Sequence, residues 1–265
     1  MNSARAICAL IPALLATSVS PRLPAGGGGR ERFDAFAARV ASLADSAARS
    51  DEVDSVIARV RRTGTLLAED STVTLLYRGS ARRVCVAGDP NGWDPASDEM
   101  HRIGGTDLFY LSWSLDPASR FEYKLVVDSS WILDPLNTLR APGGFGENSE
   151  ARMPRYLYPA ETRVRPGVPC GRIDTTSFTS ARLGRRITVY AYLPASYGSL
   201  AGRFPVLFVT DGGEYLSRAG MNVVLDNLIA DGAIKPLIAL FVDPRTDPGD
   251  PRTNTRMSDY ALNDR

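Results

Sequence analysis

The stretch Pro205-Val-Leu-Phe-Val-Thr-Asp-Gly-Gly-Glu-Tyr215 runs five apolar or β-branched residues, Val206 to Thr210, straight into an Asp-Gly-Gly corner. A continuous run of that kind, bounded by Pro and Gly, predicts a strand buried on both faces. Two glycines at its end allow a sharp turn and let the backbone approach its surroundings with no Cβ in the way. Neighbouring segments fit. Residues 184–194 alternate as a strand, and residues 235–245 read as a second buried strand. Between them, Val223, Val224, Leu225, Leu228 and Ile229 fall on helical spacing, closed by Gly232. Strand, helix, strand predicts a βαβ unit and a parallel sheet.

Other parts of the chain follow other rules. Residues 31–62 predict two helices, with Phe33, Phe36, Ala37, Val40 and Leu43 on one face. Ser50 or Asp51 is the expected cap of the second helix, which carries Val53, Val56, Ile57 and Val60 and ends near Gly64. From Thr65 to about Pro159 the pattern is short β-branched or aromatic runs separated by Gly, Pro, Asp or Asn, as in a sandwich of antiparallel strands. Residues 141–154 read as a loop, and 158–171 as a Pro-rich connector. The expected organisation is a signal peptide at 1–20, a linker and helical segment at 21–64, a β-sandwich at 65–160 and an α/β unit at 171–265.

The signal peptide is expected from Arg5 followed by an apolar stretch from Ala6 to Ala16 and then small residues. That stretch is short for a bilayer span, so a secreted or periplasmic protein with no membrane span is expected. A formal net charge of +1 gives no electrostatic case for nucleic acid. No metal or cofactor motif is expected; the sole histidine, His101, sits in a loop with no ligating cluster around it. In an exported chain Cys85 and Cys170 are candidates for a disulfide, although Cys85 also reads as a small buried apolar residue.

Residues 70–155 carry Gly88, Asn91-Gly92-Trp93, Tyr123-Lys124, Val127-Asp128, and Trp131 followed by Asp134-Pro135. This layout resembles the early-set, immunoglobulin-like sandwiches of the family 48 carbohydrate-binding modules. The resemblance implies an α-glucan face built from Trp93, Lys124, Trp131 and Asn148. The chemistry suits those residues, because an indole stacks on a pyranose and a Lys donates to hydroxyls. The framework alternative stays open: Asn91-Gly92 is a hairpin-turn signal over which Trp93 packs, and Asp134-Pro135 is a turn.

Residues 171–265 resemble the enterochelin esterase and esterase D family of α/β-hydrolases, through the Pro205–Gly213 run, Leu225-Asp-Asn-Leu228, and the Arg256, Asp259, Tyr260, Asn263 and Asp264 segment. That family commonly carries a β-sandwich ahead of its hydrolase domain. The resemblance implies a serine esterase acting on siderophore or polysaccharide acyl esters. It makes Gly212 and Gly213 the oxyanion-loop candidates. A plain strand-to-helix turn is the alternative. The departure is large: no Gly-x-Ser-x-Gly occurs, and His101 is in the wrong segment. The expectation is therefore a β-sandwich followed by a partial α/β-hydrolase domain, lacking a catalytic Ser and His and inactive as it stands. Its partner is a small-molecule ester or a polysaccharide. The alternatives are a glucan-binding module and a non-catalytic scaffold. Asp211 and Glu214 are a weaker candidate as a hydrolytic carboxylate pair.

Overall fold

The computed structural model describes residues 29–260 apart from 65, 144–145 and 200–201. The expected signal, and Asn263 and Asp264, lie outside the described residues. The chain divides into two compact units, Met1–Tyr156 and Leu157–Arg265.

The first unit opens with α1 (Gly29–Ser42) and α2 (Ser46–Thr63). The cap of α2 is Asp45, not Ser50 or Asp51. Its carboxylate accepts from the amides of Ala47 (3.0 Å) and Ala48 (3.4 Å), so free first-turn donors are satisfied a turn earlier than expected. Gly64 closes the helix in the left-handed region, its amide bonding Val60 at 2.9 Å.

Ten strands follow: β1 (Leu67–Glu69), β2 (Thr72–Arg78), β3 (Val84–Gly88), β4 (Asp98–Glu99), β5 (His101–Arg102), β6 (Leu108–Ser114), β7 (Arg120–Val127), β8 (Ser130–Ile132), β9 (Arg140–Gly143) and β10 (Gly146–Arg152). One sheet has the order β1-β2-β6-β5; the other runs β4-β3-β7-β10-β9, with β8 also pairing β7. Two of these strands correct the reading of 141–154 as a loop. β9 and β10 form a hairpin that pairs with β7, and Ala151, Ser149 and Glu150 are buried in it. The segment is polar and Gly-rich, so pattern alone hides the pairing. His101, also expected in a loop, lies exposed in β5.

Strand alternation sorts the side chains into layers. Val73, Leu75, Phe109 and Leu111 from one sheet meet Val84, Val86, Phe121, Tyr123 and Leu125 from the other. On the far side of β2 and β6, Leu76 and Leu108 meet Phe33, Phe36, Val40, Val53, Ile57 and Val60 of the helices. Burying each such side chain stabilises by about 1.5–3 kcal/mol. The helical pair thus covers the outer face of the β2–β6 sheet, while among the described residues no helix of this unit covers the outer face of the β3–β7–β10 sheet.

The second unit comprises β11 (Arg172–Ser180), β12 (Arg185–Leu193), β13 (Val206–Val209), α3 (Gly212–Ser217), α4 (Met221–Ala230), β14 (Ile238–Asp243) and α5 (Arg256–Tyr260). Its sheet has the order β11-β12-β14-β13. β13 and β14 pair in parallel through the expected βαβ connection, but β11–β12 and β12–β14 are antiparallel. The sheet is therefore mixed.

A second correction concerns β13 itself. Val206 is 49% and Phe208 71% exposed, so the strand is not buried on both faces. Val209, Ala239 and Phe241 face Leu216, Leu225 and Ile229 of the two helices. β13 is an edge strand, and the face bearing Val206 and Phe208 is open. An apolar run tells which faces are able to bury surface; it does not supply the cover.

Asp226 and Asn227 of α4 tie down the Pro-rich connector. The Asp226 carboxylate accepts from the Tyr192 hydroxyl and the Gly171 amide, both at 2.7 Å. The Asn227 amide donates to the carbonyls of Glu161 and Arg163, and Arg165 donates back to its oxygen at 2.8 Å. The Leu-Asp-Asn signature is thus a structural clamp.

The expected Cys85–Cys170 bridge is absent. Both thiols are free: Cys85 packs under Ala87 and Val126, and Cys170 is exposed.

Candidate functional site

The Asp-Gly-Gly corner lies at the carboxyl end of β13, beside the carboxyl end of its parallel neighbour β14. Ligands of open α/β sheets bind outside such strand ends. A Cβ on Gly212 would stand 2.3 Å from the carbonyl carbon of Phe241. One on Gly213 would stand 2.3 Å from both the Asp243 carboxylate and the Arg245 guanidinium. The glycines are required by close approach to β14. Neither has a positive φ; the left-handed residue of the corner is Asp211, at φ 54°. α3 begins at Gly212, and the Asp211 carbonyl takes the amides of Glu214 and Tyr215. The amides of Gly212 and Gly213 donate to no described residue.

Asp243, fully buried, closes β14. Its carboxylate takes three bonds from Arg245: Nε at 2.8 Å, Nη2 at 2.6 Å and the backbone amide at 3.0 Å. The Tyr190 hydroxyl donates to it at 3.4 Å. Burial alone pushes the Asp243 carboxyl up, but the Arg245 guanidinium and amide outweigh that and hold it below the ordinary carboxylate range. Sequence reasoning missed this pair. The signal was present in Asp243-Pro244-Arg245, a charged turn capping an apolar strand. Asp211 and Glu214 are each paired with an arginine: Arg256 holds the first at 3.0 Å and Arg218 the second at 3.6 Å.

In the first unit, Lys124 and Asn148 face each other across β7 and β10, one step beyond the Tyr123–Ser149 pair. Trp131 stands opposite Val126, two residues along β7 from Lys124 and on the same outer face. Trp131 is 48% exposed, and among the described residues no side-chain hydrogen bond or ion pair holds its indole or the Lys124 ammonium. Asn148 donates to Glu122 at 2.8 Å. Trp93 lies outside this ladder, in the turn after β3. Its indole N–H donates to Asp89 at 2.9 Å, and its backbone has φ 65°. Asn91-Gly92 ends a single 3-10 turn rather than a two-residue hairpin, and the Asn91 side chain bonds Gly88, Val86 and Asp98.

Asp134 of the Asp-Pro turn is buried beneath this face. It accepts from the Tyr123 hydroxyl at 2.5 Å and the Leu136 amide at 2.7 Å. Burial pushes its carboxyl above the ordinary range.

Comparison with known proteins bears on both units. The sequence profile of the Esterase family matches residues 180–259, which makes the second unit esterase-like. An endo-1,4-beta-xylanase/feruloyl esterase of Xylanibacter ruminicola is 32% identical over 141 residues, 48% of this chain and 18% of that protein. Protein PTST homolog 2, chloroplastic, of Arabidopsis thaliana is 30% identical over 77 residues, 29% of this chain and 14% of that protein. The crystal structure of a ferric enterobactin esterase from Salmonella typhimurium superposes with a TM-score of 0.56 at 22% identity, covering 70% of this chain and 58% of that one. The last is a likeness of fold. The chain spans under a fifth of either sequence relative's length. Among the described residues no helix is long and apolar enough to cross a membrane.

Proposed function

We propose that the second unit is the opening part of an α/β-hydrolase, and that the protein belongs to an esterase cleaving carboxylic esters through a serine acyl-enzyme. Siderophore esters and acyl groups on polysaccharide are the substrate classes. The observation that carries this reading is the corner itself. Two adjacent amides, Gly212 and Gly213, are left without described acceptors after the third strand of the second unit, inside the stretch that the Esterase profile matches. A tetrahedral intermediate places its oxyanion on donors of that kind, contributed in α/β-hydrolases partly by the loop after the third strand. Asp243 and Arg245 hold the loop from beneath, and the glycines let it lie that close.

These 265 residues supply no Gly-x-Ser-x-Gly and only His101, which belongs to the first unit. The nucleophile and its base must come from other residues, and this chain alone is inactive. Hydrolysis of p-nitrophenyl acetate is the direct test. Background rates are expected from the 265-residue chain; turnover abolished by a serine-directed phosphonate would overturn the reading. The residue 1–20 signal and export are part of the same proposal.

A second reading has its own observation: the outer sheet face on which Trp131, Lys124 and Asn148 lie side by side. It makes the first unit an early-set carbohydrate-binding module. Retardation of the chain in gels containing soluble glucan or xylan, lost in Trp131→Ala, is the expected result. Without retardation the face is framework, as in the scaffold alternative.

A further inference from the structure

A cleft of about 550 Å³ opens on the outer face of the first unit, within the usual range for a small-ligand site. Its floor is Cys85 and Val126, neighbours across β3 and β7, and Trp131 forms one wall. Arg82, Arg83 and Asp128 also line the cleft. Their charges are not equivalent. Arg83 is paired with Glu99 at 2.7 Å. The Asp128 carboxylate is turned to the backbone, taking the amides of Arg82 at 3.0 Å and Arg83 at 2.9 Å. The Arg82 guanidinium has no partner among the described residues, and neither has Lys124, two positions along β7 from the floor residue Val126. An aromatic side chain thus lines the same cleft as one guanidinium without a described partner, Arg82, alongside the Asp128 carboxylate. An arginine fork matches carboxylate and phosphate oxygens two at a time, which an uncharged hydroxyl pair does less strongly.

We propose that this cleft takes a pyranose bearing an anionic substituent, a carboxylate or a phosphate, with the ring against Trp131 and the anion on Arg82. The assignment rests on the carbohydrate reading of this face and adds a specificity residue, Arg82, to it. The bound charge pairs with Arg82, and Lys124 adds a longer-range attraction that salt screens.

The test is a titration of the full 265-residue chain, followed by tryptophan fluorescence, with three probes. They are a glucuronate-substituted xylo-oligosaccharide, the same oligosaccharide without the uronate, and a malto-oligosaccharide carrying one phosphate. At least one anionic probe should bind about tenfold more tightly than the neutral one, the scale of a charge-assisted hydrogen-bond pair. Which one does so separates carboxylate from phosphate. Arg82→Ala should reduce that preference to within about twofold while leaving the melting temperature unchanged, since the native hydrogen bond at this position is made by the backbone amide. Raising the salt should shrink the preference in the same direction. Equal binding of neutral and anionic probes, or a preference that survives Arg82→Ala, overturns the inference and leaves the carbohydrate reading intact. No response to any of the three overturns both.

Discussion

Each unit contains a buried aspartate followed by proline, and the two are built alike but charged differently. In Asp134-Pro135-Leu136 and in Asp243-Pro244-Arg245 the carboxylate accepts the amide two residues on, at 2.7 Å and 3.0 Å. Both carboxylates are shut off from solvent. The proline fixes one backbone angle and the aspartate closes the turn, so the same dipeptide gives the same local structure. Beyond the turn they diverge. Asp134 meets the neutral hydroxyl of Tyr123, and burial raises its pKa. Asp243 meets a guanidinium, which overcomes burial and lowers its pKa. The first turn pins a sheet face; the second supports a glycine corner whose amides have no acceptor among the described residues. A turn motif sets geometry, and the partner on the adjoining element sets the charge state.

Removing the charged partner is the most severe way to break this contrast. Arg245→Ala leaves the Asp243 carboxylate with the Tyr190 hydroxyl and its own turn amide. The second unit should lose about 3 kcal/mol at neutral pH, the usual cost of stranding one member of a buried pair. The sign with pH follows from linkage. In the parent, a depressed carboxyl contributes stability above its unfolded value, near 3.9, and loses it as pH falls through the folded value. The variant's deficit should therefore hold down to about pH 4 and shrink below it. All three tryptophans, 93, 113 and 131, lie in the first unit, so fluorescence follows that unit alone. Amide exchange around β14 follows the second. A pH-independent deficit there would contradict the assignment.

The glycine corner gives the next largest effect. Gly212→Ala drives a methyl into the backbone of Phe241, which cannot rotate away, and should cost about 2–3 kcal/mol as overpacking. Gly213→Ala meets only the ends of Asp243 and Arg245, which can shift a little, and should cost less. Equal costs would mean that β14 is free to move, and that the corner is less fixed than an oxyanion loop needs.

How far the sequence could be read follows from what each signal reports. Helix faces such as Phe33, Phe36 and Val40 were legible because helical period and burial coincide in them. The hairpin of residues 140–152 was not, because Gly-Glu-Asn-Ser carries no alternation of polarity, and its pairing is enforced by β7. The run Val206–Val209 announced a strand correctly and its burial wrongly, since exposure depends on elements the run does not encode. In the candidate site, Gly212 and Gly213 stood out as glycines, but the reason for them did not: Phe241, Asp243 and Arg245 approach from about 30 residues further along. Lys124, Trp131 and Asn148 were named from a resemblance and share a face only because β7 pairs with both β8 and β10. Arg82 gave no signal at all, being one arginine in a chain rich in them.

The mildest test sharpens the other half of the comparison. Asp134→Asn keeps the acceptor for the Leu136 amide and removes the ionisable group. In the parent, a raised carboxyl is most stabilising below its unfolded value, near 3.9, and that contribution is lost as pH rises through the folded value. At pH 4 the variant should be the less stable by about 1 kcal/mol, because the bond from Tyr123 is replaced by a poorer one. At pH 7 the parent bears the cost of a buried charge and the variant does not, so the gap should close or reverse. Tryptophan fluorescence during denaturant unfolding reads this difference in the first unit. The same gap at both pH values would mean that Asp134 stays ionised without penalty, and the two Asp-Pro turns would then be electrostatically alike.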